Sequence, residues 1–539
     1  MIKGIAASKG YAIGKIKVMR HIEWTVDLTP AVDCEKELTE LKKSVEASRE
    51  QLKAIRDNTA KNIGEHEAMV FDSHMMFLDD PEFVGAMEEA IKSESKRAVA
   101  AVEQVKNFFK SMFEQMDNDY MKERAADIVD VSNRLIKNLL GLPTDNGNLE
   151  ANTIIVAHDL TPSDTAQLDK TKVIGFLTDI GGTTSHSAIM ARSLEICAVV
   201  GLGDITDKVT DGMVCIMDGV KGEVILSPSH SQIEEYEALA EAYRKKREDL
   251  KKYKDIKLSY KEGREILVAG NIGSVKDLDT VIENGADGIG LFRTEFVFMD
   301  RASAPTEDEQ YEIYKTVAER MSGKPVVIRT LDIGGDKQID YLEMEPEMNP
   351  FLGLRAIRLC FKYVDLFKAQ IRALLRASVH GDVNVMLPMI GAVEEIKQAK
   401  AIIEECKAEL RAEGIDFNEE MPVGIMIEIP AAAVAADILA EEVDFFSIGT
   451  NDLIQYTLAV DRMNSNISHL YNPMNPSVLR LIEMTIKAAH NAGIWCGMCG
   501  EMAGDLRATE VLLSMGLDEF SMSGSSILDV KEKIFTHLK

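Results

Sequence analysis

Apolar positions change their period along the chain, and each change marks a boundary. A strand pattern runs from Ile13 to Val18, after a start punctuated by Gly4 and Gly10. From about Asp33 to Leu140 the period becomes helical. Leu38, Leu41, Val45, Leu52 and Ile55 recur at three- and four-residue steps or their sums, with charged residues between them. This spacing predicts an antiparallel helical bundle, with later helices over Glu65 to Leu78, Pro81 to Ser93, Arg97 to Met116 and Asp119 to Leu139. Met75, Met76, Phe77 and Phe83 are either bundle core, the usual fate of apolar residues at helical spacing, or an exposed apolar patch on an otherwise acidic face.

After Gly141 the pattern returns to short apolar runs: Ile154 to Ala157, Val173 to Leu177, Ala198 to Val200, Val214 to Met217 and Val224 to Leu226. The simplest account is a small α/β domain, residues 1–22 and 143–228, interrupted by a helical insert, residues 23–142. A charged stretch at 229–257, including Arg244-Lys245-Lys246-Arg247, reads as a solvated connecting helix. Beyond it, residues 258–539 repeat strand then helix. Candidate strands are Ile266 to Asn271, Gly288 to Arg293, Val326 to Thr330, Val383 to Met389, Val423 to Ile429, Phe445 to Gly449, Ile494 to Cys499 and Glu519 to Met522. Eight parallel strands with returning helices fit a closed (β/α)8 barrel of TIM type, so the fold class is α/β multidomain.

Composition narrows the partners. The formal net charge of −28 and pI of about 4.9 leave no electrostatic case for nucleic acid or anionic lipid; a basic protein partner fits better. Neither a signal-peptide core nor a membrane-length apolar stretch is present, and seven scattered cysteines suit reduced thiols, so the expected location is cytoplasmic without membrane insertion. The Cys496-Gly497-Met498-Cys499 spacing lacks the second Cys or His pair that a zinc site would bring.

Two places carry candidate chemistry. In Gly181-Gly182-Thr183-Thr184-Ser185-His186-Ser187 a histidine stands where a glycine turn becomes the first turn of a helix. Free backbone N–H groups there favour an anion, and the positive end of the helix disfavours imidazolium, conditions that suit a phosphohistidine at His186. The alternative is a capped helix whose histidine merely packs. In the barrel, catalytic groups stand at the carboxyl ends of strands. Arg293, Arg329 and Glu428 end strands there, Asn451 and Asp452 follow the sixth, and Cys499 closes the seventh. Paired arginines suit a substrate with carboxylate and phosphate, and Glu428 with Asp452 suit Mg²⁺; the alternative is that these charges only pair with one another.

The run GGTTSHSAIMARS, the loop from Asp159 to Thr165, the run from Gly290 to Phe296, the run from Arg329 to Lys337, the run from Phe446 to Leu453, and Met498-Cys499-Gly500-Glu501 resemble enzyme I of the bacterial sugar phosphotransferase system, the phosphoenolpyruvate-protein phosphotransferase family. The resemblance covers nearly the whole chain. It implies phosphoenolpyruvate and Mg²⁺ at the barrel rim, Glu428 and Asp452 on the metal, and Arg293, Arg329, Arg462, Asn451 and Asp452, with Arg355 and Lys337, around the substrate. His186 would attack through Nε2 with Thr165 orienting the imidazole, and Cys499 would protonate the enolate. The phosphoryl group would then pass to a histidine of a small phosphocarrier protein docked on the insert, where Glu65, Met76, Phe77, Glu82 and Phe83 are expected to bind it. The histidine domain is expected to swivel about the 229–257 connector, and the family forms a homodimer through the barrel domain.

The sequence departs from the family pattern in three places. Thr183 stands where an arginine is frequent, and Cys197 where proline is usual, which predicts a looser turn. The chain stops at Lys539 soon after the eighth strand and one helix, where relatives continue, which bears on barrel closure and on the dimer. Pyruvate phosphate dikinase and phosphoenolpyruvate synthase share the histidine and the barrel but need a large ATP-binding domain, for which the insert offers no glycine-rich phosphate loop. A regulatory relative without turnover is the other alternative, and Arg293, Arg329, Glu428, Asp452 and Cys499 together argue against it.

Overall fold

A computed structural model describes the chain except residues 20–23, 63–64, 115–118, 143–148, 167, 170, 183–185, 194–195, 300, 302, 336–338, 340, 343, 346, 463 and 465. The chain forms two compact units, Met1–Lys246 and Arg247–Lys539.

In the first unit an eight-stranded sheet has Tyr11–Met19, Thr153–Ala157, Val173–Thr178 and Cys197–Val200 side by side and parallel at its centre. Ile5–Ser8 pairs antiparallel with Cys197–Val200 at one edge. At the other, Val214–Asp218, Glu223–Leu226 and Ile2–Lys3 continue antiparallel. Parallel neighbours need a crossover, and between Met19 and Thr153 that crossover is the whole helical insert. The two short amino-terminal strands escape the sequence pattern because runs this brief carry no period to read. Cys197 begins a strand with its side chain buried and its thiol donating to the Gly10 carbonyl at 3.3 Å, so the expected looser turn is replaced by regular pairing.

The insert comprises helices Cys34–Asn62, Glu65–Asp79, Pro81–Glu94, Ala98–Glu114 and Asp119–Leu140. Leu38, Leu41, Val45 and Leu52 lie in one buried cluster with Phe71, Phe83, Met87 and Ile128. Asp80 accepts from the Glu82 N–H and Pro81 occupies the first turn, which is why the chain restarts a helix there. Phe83, expected as part of a docking surface, is 1% exposed and packs edge-on to Phe109; it is core. Met76 is 71% exposed, Phe77 is half-buried and Glu82 is exposed, while the Glu65 side chain lies outside the described residues.

The second unit contains the barrel, whose strands are Glu265–Ile272, Ile289–Arg293, Val326–Arg329, Val383–Leu387, Val423–Ile427, Phe445–Ile448, Trp495–Met498 and Glu519–Ser523. Each pairs parallel with the next, and the first also pairs with the eighth, so the sheet closes. Alternate residues face opposite ways. Ile266, Val268, Ile328 and Phe520 pack outward with the helices, whereas Leu291, Val327, Met386, Met426, Phe445, Trp495 and Cys499 form a separate inner cluster. At the amino-terminal end of that interior the rings of Phe445 and Trp495 stack with centroids 4.5 Å apart and planes 4° from parallel. No helix among the described residues is long and apolar enough to cross a membrane.

Truncating Phe83 to Ala is expected to lower stability of the insert by about 3–5 kcal/mol, because a large buried ring leaves a cavity. Met76→Ala should stay within about 0.5 kcal/mol. Urea unfolding of the two variants followed by circular dichroism checks the contrast.

Candidate active site

Barrel closure gathers the carboxyl ends of the strands at one rim, and the charged side chains expected from the sequence stand there. Arg329 ends the third strand, pairs with Glu295, and donates to Asp332 at 2.9 Å. Arg355 grips Asp332 with contacts of 3.0 and 3.1 Å, reaches Asp452 at 3.6 Å and donates to the Tyr456 hydroxyl at 3.2 Å. Arg329, Arg355, Asp332, Glu295 and Glu428 are all buried. Gly334 makes part of this packing possible: its φ is +113°, and a Cβ there would fall 2.4 Å from the Arg355 Cβ.

Asp332, Glu428 and Asp452 each present a carboxylate oxygen, and the three oxygens lie within 4.8 Å of one another. Burial and the neighbouring Asp452 and Asp332 push the Glu428 carboxyl well above the usual range, against the pull of Arg329 and Arg355. Its Oε1 accepts from the Met389 N–H at 2.6 Å. Among the described residues, four carboxylates, those of Glu295, Asp332, Glu428 and Asp452, meet two guanidiniums, those of Arg329 and Arg355. If all four were ionised, the described acids here would outnumber the described guanidiniums in a mostly buried place. Hard oxygen donors with that surplus fit a divalent cation such as Mg²⁺. Asp332 is clasped by two arginines, whereas Asp452 has one longer contact with Arg355, so Glu428 and Asp452 are the less engaged of the three carboxylates.

Two other arginines at the rim behave differently. Arg293 ends the second strand half-buried, and Arg462 follows the helix Thr450–Leu458; neither guanidinium has a hydrogen-bond or ion-pair partner among the described residues. Unpaired guanidiniums beside an over-supplied carboxylate cluster are placed for an anion that arrives from outside. The Asn451 side chain accepts from the Glu501 N–H at 3.1 Å, tying the loop after strand six to that after strand seven. Cys499 is 2% exposed. Burial pushes its thiol up to about 11, with the Ser447 hydroxyl, Arg329 and Arg293 pulling the other way, so at neutral pH it carries its proton. Lys337 lies outside the described residues.

In the first unit, the helix His186–Ser193 begins at the histidine, after strand Val173–Thr178 and a turn in which Gly181 has φ +112°. The His186 side chain and residues Thr183 to Ser185 lie outside the described residues. Thr165 is buried in the helix Pro162–Ala166, where its hydroxyl donates to the Thr161 carbonyl at 3.1 Å. The turn before His186 has an anchor that the sequence reading missed. Asp179 accepts from the Thr206 hydroxyl at 2.5 Å and its N–H at 3.0 Å, and lies 3.1 Å from His158 Nδ1. Burial alone would raise the Asp179 carboxyl, but Thr206 and His158 outweigh it and hold the group below its usual value. Asp332 and Glu295 were also missed as members of the rim network; both lie in runs quoted above, yet only the folded contacts give them partners.

The family description "PEP-utilising enzyme, PEP-binding domain" matches residues 247–538, with the N-terminal domain of PEP-utilising enzymes at 3–124 and their mobile domain at 149–222. The phosphoenolpyruvate-protein phosphotransferase of Priestia megaterium is 51% identical over 99% of this chain and 93% of its own length. Those of Listeria innocua and Enterococcus faecalis are each 52% identical, over 99% and 98% of this chain and 93% of their own length. The chain belongs to the phosphoenolpyruvate-protein phosphotransferase family. A domain named for binding phosphoenolpyruvate thus coincides with the unit that holds the rim network, and a domain named as mobile coincides with the strands around His186.

The two kinds of rim arginine should separate in unfolding experiments. Arg329→Met removes the buried guanidinium that pairs with both Glu295 and Asp332 and is expected to lower barrel stability by about 3–5 kcal/mol. Arg293→Met breaks no pair and should change it by no more than about 0.5 kcal/mol. Urea midpoints of the two variants decide the matter.

Proposed function

We propose that the chain is a phosphoenolpyruvate-protein phosphotransferase that moves the phosphoryl group of phosphoenolpyruvate to its own His186 and from there to a histidine of a small phosphocarrier protein, starting the sugar phosphotransferase system and releasing pyruvate. The observation that carries this is the charge pattern of the barrel mouth: an acidic surplus suited to Mg²⁺, beside two unpaired arginines suited to an anion.

In this reading Arg293 and Arg462 hold the substrate's phosphate and carboxylate, with Arg329 and Asn451 behind them. Arg355 acts through Asp332, keeping that carboxylate in place, and the Arg355–Asp452 contact orients a ligand for the cation. Mg²⁺ on Glu428 and Asp452 supplies charge neutralisation to the phosphoryl oxygens when bound. His186 Nε2 attacks phosphorus, with Thr165 orienting the ring. The pair of electrons left on the bridging oxygen becomes the enolate of pyruvate, and the Cys499 thiol, kept protonated by burial, delivers a proton to its methylene carbon.

The second transfer uses the insert, where Met76, Phe77 and Glu82 offer an apolar point with acidic surroundings. Phe83 supports this surface from the core. One histidine serves two partners, so the 1–22 and 143–228 domain swivels about the 229–257 connector, in which the helix His230–Leu250 runs. The enzyme works in the cytoplasm as a homodimer through its barrel domain.

Incubation with phosphoenolpyruvate and Mg²⁺, without nucleotide, should release pyruvate and leave an acid-labile phosphate on the wild-type chain and none on His186→Ala. A requirement for ATP would favour the dikinase reading instead, and absence of any reaction the regulatory one. Cross-linking the connector should abolish steady-state turnover while one half-reaction survives; two intact half-reactions with intact turnover would refute the swivel.

A further inference from the structure

One arginine at the barrel mouth is held by two separate elements, and the side chain that completes its hold has no part in the reaction described above. Arg355 lies in the loop between the third strand and the helix Ile357–Lys362. The backbone beside it is tightly placed. Ala356, the next residue, has φ +53° and ψ −127°, a conformation that non-glycine residues rarely adopt, and its N–H donates to the Ile333 carbonyl at 3.0 Å. Strain of this kind persists only where surrounding contacts over-determine it.

Many of those contacts converge on the guanidinium. Nε and one terminal nitrogen donate to Asp332, and the same terminal nitrogen reaches Asp452 at 3.6 Å. The other terminal nitrogen donates to the Tyr456 hydroxyl at 3.2 Å. That hydroxyl in turn donates to the Phe351 carbonyl at 2.6 Å, and the Phe351 ring faces the guanidinium with its centroid 5.7 Å from the central carbon. Asp452 and Tyr456 stand one turn apart on the helix Thr450–Leu458, so they share a face. The helix that carries Asp452 therefore meets the loop after strand three through one arginine at two points.

A phenol suits the second point. It accepts from the guanidinium and donates to the carbonyl at once, which neither a carboxylate nor an ammonium can do. Burial pushes the Tyr456 hydroxyl up to about 12, with Arg355 pulling it down and Asp452 and Glu428 adding to the rise, so it keeps its proton at neutral pH. The competing account is that Tyr456 only packs, since its ring lies against the barrel core. A phenylalanine would then serve as well.

We propose that Tyr456 is a positioning residue: its hydroxyl locks the Arg355 fork between the loop after strand three and the helix after strand six, and so sets how Asp452 presents its carboxylate to a divalent cation. This rests on the reading of Glu428 and Asp452 as the cation's ligands. Tyr456 acts through Arg355. Without the hydroxyl, one end of the fork loses its acceptor and the guanidinium turns toward Asp332, which holds it by the shorter contacts. The 3.6 Å contact with Asp452 is the longest of the set and is the first to be lost. A ligand whose orienting partner has moved holds its metal more weakly, typically by tenfold or more.

The test measures Mn²⁺ binding to the full chain by electron paramagnetic resonance, without phosphoenolpyruvate, so that it reads the site rather than turnover. Tyr456→Phe should bind Mn²⁺ about tenfold more weakly than wild type. Arg355→Lys keeps the charge but loses the fork, and should weaken binding at least as much. Because the hydroxyl works through Arg355, adding Tyr456→Phe to Arg355→Lys should change affinity by no more than about twofold. Wild-type affinity in folded Tyr456→Phe overturns the proposal, and so does a double variant in which the two losses multiply. Should Tyr456→Phe fail to fold, Arg355→Lys carries the test, and wild-type affinity there is equally fatal. Asp452→Asn is the control: if it binds Mn²⁺ as tightly as wild type, the cation reading itself has failed, whereas its loss together with normal binding by Tyr456→Phe removes only the positioning role.

Discussion

The barrel mouth depends on a buried network in which carboxylates and guanidiniums hold one another. Asp332 spends its carboxylate on Arg329 and Arg355, which in turn lean on Glu295 and Asp452. Glu428 is left buried next to other acids. In water such a cluster would cost little; under a protein wall it is expensive unless a cation joins it or a proton does. The same network fixes the arginines that must stay put and, by using them up, distinguishes them from Arg293 and Arg462, whose guanidiniums remain available. Rigidity and readiness at the mouth come from the same set of residues.

Much of this was legible in the sequence because parallel strands buried on both faces read as apolar runs, and because the barrel puts polar residues at one end of those runs. Arg329 and Glu428 could be placed at the rim from position alone. The limits were local. Strands expected to reach Met389 and Ile429 stop at Leu387 and Ile427, since the chain leaves the sheet where the rim contacts begin: Met389 has a positive φ and gives its N–H to Glu428. The helical insert was read almost to the residue, with Pro81 and Asp80 marking a restart that the folded cap explains.

What the pattern did not reveal was partnership. Nothing in the spacing of Glu295 or Asp332 says that one will grip Arg329 and the other join two arginines: Glu295 reaches Arg329 from the neighbouring strand's loop and Arg355 reaches Asp332 from a later loop, and only Arg329 and Asp332 are near in sequence. Phe83 and Met76 are both large apolar residues on adjacent helices, yet one faces the bundle centre and the other solvent. Asp179 illustrates the same gap near His186: its three contacts come from His158 and Thr206, on either side of it in the chain.

The stacked rings of Phe445 and Trp495 have one more effect. They belong to the packed inner cluster at the amino-terminal end of the barrel, and a barrel interior filled by side chains is a floor rather than a channel. A molecule that enters at the rim therefore leaves by the rim. Traffic through the site is therefore a queue: departure of the spent molecule must come before entry of the next, whatever the chemistry inside.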